Sequence, residues 1–392
     1  MDDQAAFDRR ILVEIERETS VAGDRREYTE SHTRYQTDLV FHDDELLVTQ
    51  WAPEADPFTA TGLRDSQSKY SRKADKDLRF GVYTGKSNRR PNTHMSLGMS
   101  DEIRDALSLR YNMHVSCLTE HQIRTKTVWN RCRSGNTFVN IWSDNSDSVT
   151  VFSHDSLRWA KIPDASHFRD LPSVVQRRLA ADQYPILPMN GGCVLSRESW
   201  SAIKGILRQA LSNLHIWNFE MLGCQSVDKK VLPSRVTVRR GVRRADPFDD
   251  EGIFGRRSEL ICKGVLQAFL VPLRVSYESG LKTVGGGILD YTGTLSYENV
   301  PLQISIDGPA LQIRSFPNVV SRLQVLNIDF QKLLCVVKMQ YRQEDRHFQW
   351  IAQLNLLEFF SHVRMTDNGT PFLEQPMDCL HEETGGLNGG QP

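Results

Sequence analysis

Ile261–Tyr277 reads ICKGVLQAFLVPLRVSY and runs into Ser279–Asp290, SGLKTVGGGILD. Gly293–Asp307, Leu311–Phe316, Ser321–Ile328 and Leu333–Tyr341 follow, each short and rich in Val, Ile, Leu, Phe or Tyr. Gly, Pro, Asn or Asp separates each segment from the next, which is the punctuation of consecutive antiparallel strands. Within the first segment, odd positions from Val265 to Tyr277 carry most of the large apolar side chains, so one face is expected to be buried. Pro272 cannot donate a ladder hydrogen bond and marks an edge or a bulge. Gly285-Gly286-Gly287 gives up side-chain packing, as a bulge or a close backbone approach would require. Phe348–Val363 is apolar and aromatic, and its period fits either a last strand or a helix packed over the sheet.

Upstream, the chain is less regular. Phe7, Ile11, Leu12 and Ile15 share one face of an expected amphipathic helix from about Asp3 to Glu18. Residues 20–76 are polar, with brief apolar pieces, and read as an extended, partly disordered arm. Ser100 caps an expected helix over Asp101–Arg110. Met113–Leu118, Thr137–Trp142 and Val149–Ser153 read as strands, with Asp144-Asn145-Ser146-Asp147 as the turn between the last two. A short helix is expected over Ser173–Ala181. A longer one starts at Ser196 and carries Trp200, Ile203, Leu207, Ala210, Leu211 and Leu214 at helical spacing. The fold class read from these patterns is α+β: a β-rich antiparallel barrel or sandwich in the C-terminal half, with an α/β N-terminal region. The expected divisions are a polar arm with one amphipathic helix (1–76), an α+β region (77–185), a β-rich core domain (190–365) and a flexible tail (366–392).

Composition limits function. The chain has 392 residues and a formal net charge of −1, so any nucleic-acid binding must come from a local patch. Seven scattered cysteines, none in a Cys-x-x-Cys pair, suggest neither a disulfide framework nor a zinc ribbon and fit reduced thiols in a cytoplasmic compartment. No apolar run approaches the ~18 residues of a membrane helix, so a soluble protein is expected, with peripheral membrane contact left open.

One charged stretch stands out. In Arg235–Arg239, Arg-Val-Thr-Val-Arg, a period of two puts Arg235, Thr237 and Arg239 on one strand face. Arg240, Arg243 and Arg244 follow, and then Asp246, Asp249, Asp250 and Glu251. These acids either neutralise the arginines in a solvated hairpin or lie on a loop that moves aside for an anionic ligand. Guanidinium forks bond phosphate oxygens in pairs, so the functional reading is contact with a single-stranded nucleic-acid backbone through Arg235, Arg239, Arg240, Arg243 and Arg244. Asp290, at the end of the glycine-led segment, reads as a turn-capping aspartate.

Other motifs carry less. Thr84-Gly85-Lys86-Ser87 lacks the spacing of a phosphate loop, because Gly81 stands one residue too close. His42 with Asp44 forms a His-x-Asp pair, His154-Asp155 and His167 with Asp170 are isolated, and Asn190-Gly191-Gly192-Cys193 faintly resembles a glycosyltransferase loop without upstream acidic ligands. No catalytic residue, metal ligand or cofactor is singled out.

The order from Val194 to Arg342 resembles the thirty-kilodalton superfamily of plant-virus movement proteins. The resemblance rests on the Ser196–Leu214 helix, the Leu232-Pro233 step and a strand ending in Pro272. Gly280–Asp290 and Phe316-Pro317-Asn318 running to Ile328 complete it. The chain departs from the family at Thr292, where Arg is frequent, and at Cys262, where His is common. The resemblance implies a non-enzymatic protein that binds single-stranded RNA or DNA, self-associates as a homo-oligomer and localises to plasmodesmata, with Asp290 as a family-motif residue. The alternatives are a capsid- or scaffold-like assembly subunit and a metal-dependent enzyme.

Overall fold

A computed structural model describes residues 6–23, 26–42, 45–53, 63–73, 99–132, 135–163, 165, 168–180, 184–187, 192–212, 227–241, 248–253, 257–290, 294–312, 319–329, 334–343 and 346–374. These form two compact units, each discontinuous in sequence. The first takes in Met1–Asp182, Arg240–Ser258 and Phe269–Pro301, and the second Gln183–Arg239, Glu259–Ala268 and Leu302–Pro392.

The first unit is built on seven antiparallel strands: β1 (Ala6–Ala22), β2 (Arg26–His42), β3 (Glu45–Pro53), β4 (Leu63–Lys73), β5 (Val115–Cys132), β6 (Thr137–Ser153) and β7 (Arg158–Pro163). Their order is β4-β3-β2-β1-β5-β6-β7. The expected N-terminal helix is therefore a strand. Ile11, Val13 and Ile15 are all buried, a period of two in β-branched residues that outweighs the helical spacing of Phe7, Ile11, Leu12 and Ile15. The expected polar arm supplies β2, β3 and β4, whose ladders satisfy the backbone that its composition left unaccounted for. Nor does the chain turn at residues 144–147: β6 runs straight through, with Asp147 opposite His121 and Asp144 opposite Arg124 on β5.

This sheet changes its buried face midway. On β5 the buried residues are Val115, Cys117, Thr119 and His121 at one end, but Lys126, Val128 and Asn130 at the other. The β5–β6 register is unbroken, so odd and even positions lie on opposite faces. Helices α1 (Met99–Tyr111) and α2 (Leu171–Ala180) cover the first end, where Ile103, Leu107, Val149, Val151, Ile162, Val175 and Leu179 form an apolar core. At the other end Ile11, Val13, Ile15, Tyr35, Leu39, Val128 and Trp142 pack against Phe248, Ile253 and Leu273.

The second unit contains a six-stranded mixed sheet in the order β17-β16-β15-β8-β19-β18. Its strands are β8 (Cys193–Leu195), β15 (Val319–Asp329), β16 (Leu334–Gln343), β17 (Arg346–Asn355), β18 (Val363–Met365) and β19 (Pro371–Leu373). Helix α3 (Arg197–Ser212) packs on β15, and the Ser196 hydroxyl accepts from Ser199 N–H at 3.1 Å, as its capping role required. A smaller sheet orders β11 (Val265–Leu266), β10 (Ser258–Cys262), β9 (Val236–Arg240) and β14 (Leu302–Ile306). Phe348–Val363 is both things its period allowed: β17 and then α5 (Leu356–His362), capped by Asn355.

The architecture is α+β and rich in strand, but the described strands form open sheets with no closed barrel. The expected strand Val265–Tyr277 holds only two strand residues. Past Pro272 the chain forms helix α4 (Leu273–Ser279), because Pro272 presets the entry to a helix while ending a ladder. Gly280–Asp290 supplies only β12 (Ile288–Leu289), paired with β13 (Leu295–Ser296). Among the described residues no helix is long and apolar enough to cross a membrane.

Candidate functional site

The arginines singled out in the sequence do not form one free surface. Arg235 reaches the end of α5, where its Nη2 donates to the carbonyls of Phe360, Ser361 and Val363 at 3.0, 2.6 and 2.9 Å. These are carbonyls that a helix end leaves without intrahelical partners. Arg239 pairs with Glu259 on the neighbouring strand, Nη2 to Oε1, at 2.8 Å. Arg240 points the other way, is buried, and donates to the carbonyl of Val284. Arg243 and Arg244 lie outside the described residues. Asp290 caps the β12–β13 turn: its Oδ1 accepts from Thr294 N–H at 3.0 Å, and its own N–H donates to the Thr294 carbonyl at 3.0 Å.

The acids read as a surface foil to those arginines are among the most buried groups of the first unit. Asp249, Asp250 and Glu251 are each 1–2% exposed. Each accepts from backbone N–H groups. Asp249 takes Ile253 N–H and Gly286 N–H, both at 2.6 Å. Asp250 takes Leu289 N–H at 2.7 Å, and Glu251 takes the Leu273 N–H that opens α4. The buried cations do the converse. Lys126 donates to the Phe248 carbonyl at 2.6 Å and to Asp250 at 3.3 Å, Arg9 to the Gly252 carbonyl at 2.6 Å, and Arg124 to Asp250. Arg9 also lies over the Phe248 ring, 4.4 Å from its centre. The glycine triplet is the close approach its sequence implied: at Gly285, with φ +64°, a Cβ would stand 2.4 Å from an Asp249 oxygen.

Burial and pairing divide the titrations. Burial lifts Asp249 to about 6 against the pull of Arg240. Burial also acts on Asp250, but Arg124 and Lys126 outweigh it and hold this carboxyl below the ordinary range. Glu251 is pushed well above that range, first by burial and then by the charge of Asp249. Burial brings Arg9 down to about 9. The Tyr297 phenol is raised by burial and by Glu251 and Asp249, and among the described residues its hydroxyl has no hydrogen-bond partner. Such a concentration of displaced pKa values marks either a functional site or a structural network.

The remaining candidates are dispersed. His154 Nε2 lies 2.8 Å from the Ser116 hydroxyl, its ring centre is 4.6 Å from that of His114 with the planes tilted by 33°, and Asp155 accepts from His114 N–H. Asp170 accepts from Ser173 N–H at the start of α2. His167, Asp44, Asn190 and the Thr84–Ser87 run lie outside the described residues. Cys117, Cys132, Cys193 and Cys335 are buried as free thiols. Among the described residues no three His, Cys, Asp or Glu side chains come together as metal ligands.

Residues 194–309 match the family model of the PmbA/TldA metallopeptidase C-terminal domain. The match takes in Arg240, the acid trio and the glycine triplet. No curated protein sequence matches the chain. Among solved structures, the chain is similar to a Thermotoga maritima protein described as a candidate modulator of a DNA gyrase, with TM-score 0.54, 12% identity and 94% of each chain covered. It is also similar to TldE from Thermococcus kodakarensis, with TM-score 0.51, 12% identity, and 94% of this chain and 95% of that one covered.

These findings overturn the resemblance to plant-virus movement proteins. That likeness rested on strand-and-turn signals that many β-rich chains share, and the plasmodesmal location falls with it, while the single-strand binding read from the arginines is contradicted by the same family match. The geometry of Arg235, Arg239 and Arg240 gives the physical reason on the chain's own side. The expectation of a non-enzymatic protein falls to the same match, because the matched model is that of a metallopeptidase domain.

Proposed function

We propose that the chain acts on polypeptide substrates as a protein of the PmbA/TldD metallopeptidase type. The observation that carries this reading is the family-model match over residues 194–309, which contains the segments Asp249–Glu251 and Gly285–Gly287. A metal ion is implied by that class, and the described donors do not fit one, since no three of them converge. No step is therefore routed through a metal. Within the matched residues, the chain's own part is to hold an irregular, glycine-containing segment in a fixed path, through Asp249 on Gly286 and Asp250 on Leu289. An enzyme needs such fixed loops, because reacting groups displaced by about 1 Å lose much of their effect.

The test is incubation of the purified chain with a reduced, unfolded polypeptide, with zinc added or with a chelator, followed by mass spectrometry of the products. The reading expects new peptide termini in at least one of the two conditions. Intact polypeptide under both conditions contradicts it.

A further inference from the structure

Glu251 is held differently from the two acids before it. Asp250 has Arg124 and Lys126, and Asp249 has two backbone donors and the nearby charge of Arg240. Both Glu251 oxygens share one donor, Leu273 N–H, at 2.9 and 3.1 Å. Among the described residues no cation lies within ion-pair distance of it. The titratable groups that act on it are Asp249 and Asp250 on its own segment and Tyr297 just past β13, and the cations bonded to residues 249–252 or 284 are Arg240 at the end of β9, Lys126 and Arg124 on β5, and Arg9 on β1. Their hydrogen bonds go elsewhere: Lys126 and Arg124 to Asp250, Arg9 to Gly252, Arg240 to Val284. A bare carboxylate in such an interior is costly, so the group keeps its proton.

We propose that Glu251 is a proton-operated fastener: neutral, it ties residues 249–252 to α4 through Leu273, and ionised, it loosens α4 and the glycine segment from the sheet. Burial and the Asp249 charge both favour the neutral form. Ionisation would strengthen the single bond to Leu273, but one backbone donor does not offset a second buried negative charge beside Asp249. An acid whose pKa is raised by folding binds its proton more tightly in the folded chain than in the unfolded one. Stability from this group therefore falls as pH rises from the ordinary carboxyl range through the raised value, and is level above it. Asp249 adds a fall of the same sign up to about 6. Asp250 has the opposite sign, since its pKa is lowered, and its contribution is lost only in acid. The fastener does not depend on the peptidase reading.

The experiment is hydrogen exchange of the full chain, followed by mass spectrometry from about pH 5 to about pH 8 and corrected for intrinsic exchange. Peptides covering 248–253 and 269–289 are expected to open more with rising pH, by up to about tenfold per pH unit, while α1 and α2 stay level. Glu251→Gln should keep these peptides protected and remove their pH slope above about 6, leaving below it only the fall due to Asp249. A flat profile in the parent chain, or the same slope in Glu251→Gln, overturns the proposal. If Glu251→Gln does not fold, the parent profile decides alone.

Discussion

The two ends of the seven-stranded sheet are covered by different means. At one end α1 and α2 lie over Val149, Val151, Ala160 and Ile162, and the packed surface is almost wholly apolar. At the other, the cover is mostly irregular chain, residues 248–253 and 283–289, joined by Leu273 at the start of α4, and the packed surface holds Arg9, Lys126, Asp249, Asp250 and Glu251. The backbone explains the difference. A helix satisfies its own N–H and C=O groups, so an apolar stripe suffices to seat it. An irregular segment brings unpaired groups into the interior, where each needs a partner. Here, side-chain charges supply the partners: carboxylates for Ile253, Gly286, Leu289 and Leu273, cations for Phe248, Gly252 and Val284. The buried charges do for this end what a helix does for itself.

The contrast can be sharpened by substitution. Asp250→Ala should have the largest effect, about 3–5 kcal/mol in chemical denaturation, because it removes the carboxylate shared by Lys126 and Arg124 and the acceptor of Leu289 N–H together. Leu107→Ala, at the helix-covered end, should cost about 2–5 kcal/mol through lost burial and a cavity. It differs in kind as well: its cost should hardly change with pH, whereas the cost of Asp250→Ala should shrink in acid, where the parent Asp250 also loses its charge. Asp290→Ala removes one side-chain bond to Thr294 and should cost about 1 kcal/mol, seen as a small fall in melting temperature. Arg239→Ala breaks a half-exposed pair and should cost about 0–1 kcal/mol, less still in high salt.

Legibility followed the same division. The alternation of Leu323 and Val325, and then of Cys335, Val337, Met339 and Tyr341, shows β15 and β16 directly, because Leu323 and the four β16 residues are buried. The helix-covered end was legible too, from the spacing of Ile103 and Leu107 and the strand Val149–Ser153. The charge-covered end was not. Arg240 followed by Asp249-Asp250-Glu251 looks like a solvated surface, since charged side chains are rarely this buried. Grouping Arg239 with Arg240 in one patch also misled, since neighbours on a strand point to opposite faces and these two go to different environments. The signals that could have helped are local: Phe248 and Ile253 bracket the acids, Gly252 follows them directly, and the glycine triplet has no side chains to fill its own space. In β1, Arg9 and the β-branched Ile11, Val13 and Ile15 hid a strand behind a helical spacing.

Hydrogen exchange in Asp250→Ala, read peptide by peptide, puts the central claim to its most direct test. If buried charges stand in for secondary structure at one end of the sheet, exchange should accelerate in 248–253 and 283–289 while α1, α2 and β7 keep the parent's protection. Equal loss at both ends, or unchanged protection in 283–289, would contradict it.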